Sequence, residues 1–337
     1  MKTQILLPED TKVAADILKS GGLVAIPTET VYGLAANALD KKAVESIFKA
    51  KGRPCDNPLI VHISQIDEIY NIVKEFSPIA KKLAAAFWPG PLTMILKKSD
   101  IIPQEVSGGL DSVAVRLPQH PIARRIIKES GCPLAAPSAN LSGSPSPTKV
   151  EHVISDLYGK IDAIVDAGTC GVGLESTVVS LCTDVPRLLR PGAVTPEQLR
   201  EVLGKLDVDV SLVNPLKKNE KPLSPGMKYK HYAPKVRVVI IKGKKEQYIN
   251  YINKIADKHV AALCYDEDID YLHVPSVSYG KEDDLNLQAE MLFDSLRKVD
   301  KLKDIDVVYA RCPRMDGIGL AVYNRLIRAA GFNVVEL

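Results

Sequence analysis

Long apolar runs, paired cysteines and a strong charge imbalance are all missing from this chain of 337 residues. No apolar run approaches the roughly 18 residues of a transmembrane helix, and Met1–Asp10 lacks the apolar core of a signal peptide. We therefore expect no membrane partner and a cytoplasmic location. The six cysteines are scattered without a Cys-x-x-Cys pair, which favours reduced thiols over disulfides or zinc. A net charge of +3 is too small to require nucleic acid.

Familiar catalytic motifs are missing as well. The chain has no Gly-x-x-x-x-Gly-Lys-Ser/Thr loop, no His-Glu-x-x-His pair and no Gly-x-Ser-x-Gly turn. The segment Asp316–Val322 imitates a dinucleotide fingerprint, but Val322 stands where the third glycine belongs. We interpret this segment as a tightly packed helix start. No serine and histidine stand out as a nucleophile and its base, so the sequence does not point to a covalent mechanism.

Two stretches alternate short apolar runs with helical patterns, which is typical of α/β domains. The first runs to about residue 204 and the second from 236 to the C-terminus. Between them, Lys217–Arg237 carries seven basic residues against one acidic residue, together with four prolines, and is predicted to be a linker. The predicted organisation is a catalytic α/β domain over 1–205, a basic linker over 206–235 and a small Rossmann-like domain over 236–337.

The segment Lys51–His62 is the most informative part of the chain. It places Lys51, Arg53, Asn57 and His62 around two prolines, before a run that is predicted to be a buried strand. Prolines stiffen the loop because each fixes its own φ and restricts the residue before it. Two cations on a stiff loop suit a polyanion such as a nucleotide triphosphate. A solvated basic turn is the alternative.

Polar residues also follow or enter the other predicted strands. Arg116 lies within an apolar strand, where a charge is costly unless it is paired, so we expect a carboxylate partner from a ligand or from the protein. The loop Pro137–Thr148 is rich in hydroxyls and prolines; it either caps the next helix or offers donors to phosphate and ribose oxygens. His62 alone would more often be a core residue than a ligand contact.

The order of these motifs resembles a known family. Six segments together resemble the YrdC-like domain: Thr28–Leu34, Lys51–Pro54, Asn57–Leu59, Arg116–Pro118, Pro137–Asn140 and Ser176–Thr177. The linker segment Ser224–Pro234, followed by a small α/β domain, resembles the two-domain threonylcarbamoyl-AMP synthases. The resemblance implies a twisted YrdC-like α/β domain followed by a Rossmann-like α/β domain.

The resemblance also implies a reaction, in which L-threonine, bicarbonate and ATP give threonylcarbamoyl-AMP, pyrophosphate and water. Such an enzyme is a nucleotidyltransferase in tRNA modification, and its transient partner would be the complex that transfers the threonylcarbamoyl group to tRNA. Mg²⁺ would accompany the triphosphate, with no protein metal site and no tightly bound cofactor. In that scheme the threonine amine takes up CO2 or bicarbonate as a carbamate, and an oxygen of this carbamate attacks the α-phosphate of ATP. No protein nucleophile is needed.

Site residues follow from the same resemblance. Lys51 and Arg53 would be the catalytic clamp on the triphosphate. ATP would contact Arg53, Asn57, Ser112, Ser138, Ser146, Arg190 and Tyr232. Threonine would contact Thr30, His62, Arg116, the backbone of Ala136, and Ser176. The linker, with Tyr232, would act as a lid over the nucleotide.

Two alternatives remain open at the level of the sequence. YrdC-like domains also occur as carbamoyl-transfer modules of hydrogenase maturation proteins, although the cysteine-rich and kinase-like regions of those chains are absent here. The basic linker also fits a non-catalytic RNA-binding protein, although no aromatic stacking residues accompany its charges.

Overall fold

The structure, a computed structural model, describes residues 2–55, 57–209, 212, 232–256 and 259–337. These residues fall into two compact units. One contains 2–142 and 146–212, and the other contains 143–145 and 232–337, with the gaps just given. Most of the predicted linker, including Ser224–His231 of its motif, lies outside the described residues. The predicted domain boundaries and the lid therefore stay predictions.

The first unit is a mixed sheet covered by helices. Its strands are β1 (Gln4–Leu6), β2 (Val24–Ile26), β3 (Gly33–Asn37), β4 (Ile60–His62), β5 (Leu92–Lys97), β6 (Ser112–Arg116), β7 (Leu134–Ala135), β8 (Ala163–Val165), β9 (Thr177–Ser180), β10 (Arg187–Arg190) and β11 (Asp207–Val208). Its helices are α1 (Thr11–Lys19), α2 (Lys41–Lys51), α3 (Ile69–Ile72), α4 (Pro78–Phe87), α5 (Gln104–Ser107), α6 (Pro121–Ser130), α7 (Val150–Leu157) and α8 (Pro196–Leu203), with a 3-10 turn at Ile66–Glu68.

The strand order is β1-β8-β2-β3-β7-β4-β6-β5-β9-β10-β11. Both faces of this sheet are covered, as β2 shows. Leu23 and Ala25 belong to the larger core, whereas Val24 and Ile26 face the core formed with α1 and α6. Successive side chains point to opposite faces of a strand, so a strand buried on both sides needs a continuous apolar run.

Helix α2 delivers the predicted clamp to its place in the fold. Asp40 caps its start by accepting hydrogen bonds from the backbone N–H groups of Lys42 and Ala43. Its end is set by Gly52, which adopts the left-handed conformation with φ of 62°. The turn at Gly52 lets the Arg53 N–H bond the carbonyl of Phe48 at 2.9 Å and sends the chain into the proline-containing loop.

The alternation of strands and helices that the sequence predicts for the first unit is present, and several of its strands are short. Strands β1, β3, β7 and β11 span two to five residues each. Such segments gain their strand geometry from hydrogen bonds to neighbouring strands, which no local pattern specifies. The end of the motif Thr28–Leu34 accordingly belongs to β3.

The second unit confirms the predicted parallel α/β architecture. Its strands are β12 (Arg237–Lys242), β13 (Val260–Cys264), β14 (Ser276–Ser278), β15 (Val307–Arg311) and β16 (Val334–Glu336), and its helices are α9 (Lys245–Lys254), α10 (Leu285–Val299) and α11 (Gly319–Ala329). The order β14-β13-β15-β12-β16 places β15 between β12 and β13, unlike the usual Rossmann order. The fingerprint-like segment is a helix start, since α11 begins at Gly319. It is also tightly packed, because a Cβ at Gly319 would lie 2.5 Å from the carbonyl oxygen of Arg314.

None of the helices that the structure describes has the length and apolar character to cross a membrane.

A buried ion pair ties together the carboxyl ends of β13 and β15. The Nη1 atom of Arg311 donates to both carboxylate oxygens of Asp268, at 2.8 and 3.0 Å, and its Nη2 donates to Glu282 at 2.6 Å. The guanidinium also lies 4.7 Å from the centre of the Tyr265 ring. Burial opposes the charge of Arg311, but the two carboxylates outweigh it and raise the Arg311 pKa.

We predict that Asp268→Asn lowers the free energy of unfolding by about 3 kcal/mol, because it leaves a buried guanidinium short of charge compensation. Urea unfolding followed by circular dichroism measures the loss. Asp316→Asn is the matched control, since Asp316 pairs with Arg314 on the exposed surface of the same unit. That control should leave the midpoint unchanged; equal behaviour of the two variants would contradict the prediction.

Candidate active site

The predicted site residues lie mainly at the two ends of the paired strands β4 and β6. These strands are parallel, with Ile60 beside Ala114 and His62 beside Arg116. The loop that carries Lys51 and Arg53 therefore enters at the end where β6 begins, and His62 and Arg116 lie together at the other end. Ser112 and Arg116 are separated by roughly 13 Å along the strand, at about 3.3 Å per residue.

Arg116 organises the second of these ends. Only 3% of this residue is exposed, and its guanidinium makes three hydrogen bonds: Nη2 to Glu29 Oε1 at 2.6 Å, Nη1 to Thr30 Oγ1 at 2.9 Å and Nε to the Gly90 carbonyl at 3.3 Å. The carboxylate partner expected from the sequence is thus Glu29. Burial raises the pKa of Glu29, but the Arg116 charge outweighs burial and the net pKa is lowered.

A hydroxyl chain fixes the orientation of Thr30. The Thr28 hydroxyl donates to the carbonyl of Val31 at 2.6 Å, which uses its only proton. In the 2.8 Å contact between the two threonine hydroxyls, Thr30 is therefore the donor and Thr28 the acceptor. Thr30 Oγ1 then accepts from Arg116, so all its polar neighbours are in place before a ligand arrives.

His62 is buried and neutral at this end of the sheet. Burial, followed by the nearby Arg116 charge, lowers the pKa of His62 to about 3. Its Nδ1 lies 3.2 Å from the carbonyl oxygen of Ile60, and a carbonyl only accepts, so Nδ1 carries the proton in this contact. The Nε2 atom is then an acceptor, suited to a hydroxyl donor on a ligand.

Ser176 and Arg190 meet next to this group. Arg190 donates from Nε to the Ser176 carbonyl at 3.0 Å and from Nη2 to the Ser176 hydroxyl at 3.1 Å. The same hydroxyl lies 2.7 Å from that of Thr93. Gly192 allows the approach, because a Cβ there would lie 2.4 Å from the backbone nitrogen of Thr177. Ser146 is also buried, and its hydroxyl donates to the carboxylate of Glu175, the residue before Ser176.

The backbone of Ala136 is partly committed to the sheet. Its N–H donates to the Ile60 carbonyl at 3.0 Å. A ligand can therefore contact this backbone only through the carbonyl oxygen.

Lys51 lies at the opposite end and is held by the backbone. Its Nζ donates to the carbonyls of Ser138 and Asn140, the second at 2.6 Å, and only 3% of the residue is exposed. Burial and then the Arg53 charge lower the pKa of Lys51 to about 7, while Asp156 and Glu175 act in the opposite direction. Lys51 thus fixes the loop that carries Ser138, whose hydroxyl bonds Asn140 Oδ1 at 2.6 Å.

Asn57 presents an unsatisfied amide at the same end. The residue is fully buried, and neither its Nδ2 nor its Oδ1 has a hydrogen-bond partner within the part of the chain that is described. A buried polar group without a partner costs about 1–3 kcal/mol, so this amide is a candidate contact for a ligand. Its backbone carbonyl accepts from Arg53 Nη2 at 3.4 Å, and the Arg53 guanidinium lies 5.9 Å from the Phe48 ring centre.

The two remaining predicted ATP contacts are Ser112 and Tyr232. Ser112 opens β6 at the Lys51 end and is half-buried. Tyr232 belongs to the second unit, where its buried ring lies 5.3 Å from the Phe293 ring and 5.6 Å from the Arg325 guanidinium. The ligand roles of all these residues stay predictions.

Sequence reasoning passed over Glu29, Thr93 and Glu175. Glu29 lies within the motif Thr28–Leu34. The buried charge of Arg116 pointed to such a residue, because that charge requires a carboxylate partner. Thr93 and Glu175 carry no comparable signal, since their contacts join segments that are distant in the chain. Across the residues that are described, no three His, Cys, Asp or Glu side chains cluster as metal ligands.

The fold and the site define an α/β protein with a basic, proline-containing loop and a buried cluster of polar side chains beside two paired strands. A family model described as "Telomere recombination" (Sua5_yciO_yrdC) matches residues 16–192, and one described as "Threonylcarbamoyl-AMP synthase, C-terminal domain" matches 194–331. Threonylcarbamoyl-AMP synthase of Bacillus subtilis is 47% identical, over 96% of this chain and 93% of that protein. The one of Pyrococcus abyssi is 42% identical, over 97% and 95%.

Solved structures agree with these relatives. The crystal structure of P. abyssi Sua5 complexed with L-threonine matches with a TM-score of 0.92 at 40% identity, over 100% of both chains. Escherichia coli YciO, at 24% identity and a TM-score of 0.51, shares the fold over 56% of this chain. The chain therefore belongs to the Sua5/YciO/YrdC family, in the two-domain form that carries the threonylcarbamoyl-AMP synthase C-terminal domain.

We predict that His62 makes the folded protein less stable as the pH decreases below neutrality. Its pKa is about 3 when folded and about 6.5 when unfolded, so the unfolded state binds more protons between these values and stability falls as pH decreases. From pH 6.5 to 5 the loss reaches at most about 2 kcal/mol.

Urea unfolding at pH 5, 6 and 7 should show a flatter pH dependence for His62→Gln than for the wild type. His273→Gln, which removes an exposed histidine, should keep the wild-type pH dependence. Parallel curves for His62→Gln and the wild type would disprove this role.

Proposed function

We propose that this chain is an L-threonylcarbamoyladenylate synthase, a nucleotidyltransferase that makes threonylcarbamoyl-AMP and pyrophosphate from L-threonine, bicarbonate and ATP. The observation that supports this most directly is the presence of two kinds of polar group around β4 and β6. Lys51, Arg53 and the unsatisfied amide of Asn57 suit a triphosphate. Arg116 with Thr30, and the neutral His62, suit a small hydroxy amino acid.

The relatives from B. subtilis and P. abyssi carry the name of this activity, and the P. abyssi structure holds L-threonine. We assign threonine to the Arg116 end, with its carboxylate on the guanidinium and its hydroxyl near His62 Nε2. Among the described residues, a buried hydroxyl network rather than an activated nucleophile lines this end. Catalysis then consists of positioning the threonine carbamate against the α-phosphate and stabilising charge on phosphate oxygens.

Magnesium fits this arrangement as a companion of the triphosphate. Mg²⁺ commonly keeps several waters and binds through substrate phosphates with one or two carboxylates. Because the described residues offer no cluster of three metal ligands, the phosphates and water would supply most of its coordination. The ion would neutralise charge on the phosphate oxygens when bound.

The product is a reactive mixed anhydride, which needs an acceptor. We propose that it passes in the cytoplasm to the complex that transfers the threonylcarbamoyl group to tRNA. An RNA-binding role without catalysis is the less favoured alternative, because the buried polar groups at both strand ends suit small ligands.

We predict that Arg53→Ala folds normally and loses about 2 kcal/mol or more of transition-state stabilisation, the scale of a preorganised charge contact. The readout is pyrophosphate release at saturating ATP. Lys49→Ala, which removes an exposed cation from α2, is the control and should keep wild-type turnover. Lys51 is a poorer test, because its removal also leaves two backbone carbonyls without their donor. Near-normal turnover by Arg53→Ala would remove Arg53 from the clamp.

We predict that the enzyme prefers threonine to valine by at least about 100-fold in kcat/KM, with serine intermediate. A site that hydrogen-bonds a substrate hydroxyl strongly rejects an analogue without it, because buried polar groups are then left unpaired. Pyrophosphate release with ATP, bicarbonate and each amino acid in turn measures the preference. Equal rates with threonine and valine would overturn the proposed substrate.

A further inference from the structure

One oxygen of the Glu29 carboxylate lacks a hydrogen-bond partner among the described residues, although the backbone N–H groups of Glu29 and Gln119 lie near enough to help lower the pKa of this carboxyl. Oε1 accepts from Arg116 Nη2 at 2.6 Å, whereas Oε2 is buried and has no hydrogen-bond partner among the residues described. A carboxylate oxygen only accepts, and leaving it buried and unpaired carries a free-energy cost. The side chain as a whole keeps 12% of its surface exposed, so the carboxylate lies just below the protein surface.

Arg116 also retains donors beyond those the protein uses. A guanidinium has five N–H groups, and three of them are directed at Gly90, Thr30 and Glu29. In the described part of the chain, one N–H on each terminal nitrogen is left. Two such groups suit a carboxylate in a bidentate arrangement.

The histidine near Glu29, His120, is neutral, so it does not compete with a cationic ligand group for the Glu29 carboxylate. His120 interacts electrostatically with Glu29, and burial lowers the pKa of His120. Its Nδ1 is also buried and lacks a hydrogen-bond partner within the described ranges. Glu29, whose own pKa is lowered, stays ionised at neutral pH, so its second oxygen is best matched by a cationic donor.

We propose that Glu29 binds the α-amino group of the amino-acid substrate while Arg116 binds its carboxylate, so that this buried ion pair recognises a zwitterion. An α-amino acid carries its two opposite charges on adjacent groups, as the Glu29–Arg116 pair does. The assignment rests on the proposed function and adds to it the selection of the amino group. Neutral His62 and Thr30 are left to read the side-chain hydroxyl.

Glu29 acts in this assignment as a binding and positioning residue. An amino group that has lost one proton still has N–H donors, so the contact with Oε2 persists when the nitrogen becomes nucleophilic. The same contact places an N–H group, and not the nitrogen lone pair, against Glu29.

The test is isothermal titration calorimetry of the full chain with threonine and with 3-hydroxybutyrate, which lacks only the α-amino group. The wild type should bind threonine at least about tenfold more tightly, the scale of a hydrogen bond to a charged group. Glu29→Gln should lose at least about tenfold in threonine affinity and bind both ligands within a few-fold of each other. Its ATP affinity should stay at the wild-type value. Glu151→Gln, which removes an exposed carboxylate on α7, is the control and should match the wild type.

Equal affinity of the wild type for the two ligands would overturn the proposal, and this outcome needs no variant that folds. A Glu29→Gln variant that weakens both ligands equally, with an unchanged ratio, would show a structural role only and would also overturn it. Failure of the proposed function has a different signature. The wild type would then bind threonine with the expected preference but release no pyrophosphate with ATP and bicarbonate.

Discussion

Arg116 is a positive charge enclosed by apolar strands, and the arrangement around it follows from the need to compensate that charge. An unpaired cation in such a place is far more costly than any single contact that the fold gains. Glu29 supplies the counter-charge, Thr30 and the Gly90 carbonyl supply acceptors, and His62 remains neutral beside it. The loop after β2 is thereby held against the end of β6, and this end of the candidate site is organised by contacts within the protein.

Lys51 is a second buried cation that joins two segments of the chain through its hydrogen bonds. Its ammonium is shared between two backbone carbonyls of the loop after β7, so the end of α2 and that loop are fixed to each other. Arg53 and Asn57 follow on a loop that prolines stiffen. Among the described residues the buried Asn57 amide has no hydrogen-bond partner, whereas Lys51 directs two of its three N–H donors at the protein. Lys51 thus organises the loop and keeps one donor.

The second unit contains a buried ion pair in which the central carboxylate is fully used. Arg311 has both oxygens of Asp268, a contact from Glu282 and the face of Tyr265. Its charge is compensated within the unit, as expected of an element that stabilises a fold. The Glu29–Arg116 pair differs because one buried carboxylate oxygen, Glu29 Oε2, has no hydrogen-bond partner among the described residues, and that difference is the basis for assigning the pair a ligand.

The sequence by itself determined the longer helices, the buried central strands, the two-part α/β organisation and the motifs that identify the family. Those features depend on local periodicity, on proline and glycine, and on residue types that chemistry requires. It also required a carboxylate partner for Arg116, because a buried charge must be compensated. Only the tertiary structure chose Glu29 as that partner, 87 positions away in the chain. It likewise joined Thr93 to Ser176 and decided that Lys51 bonds backbone carbonyls, because pairings across the sheet depend on strand order and register, which local sequence does not encode.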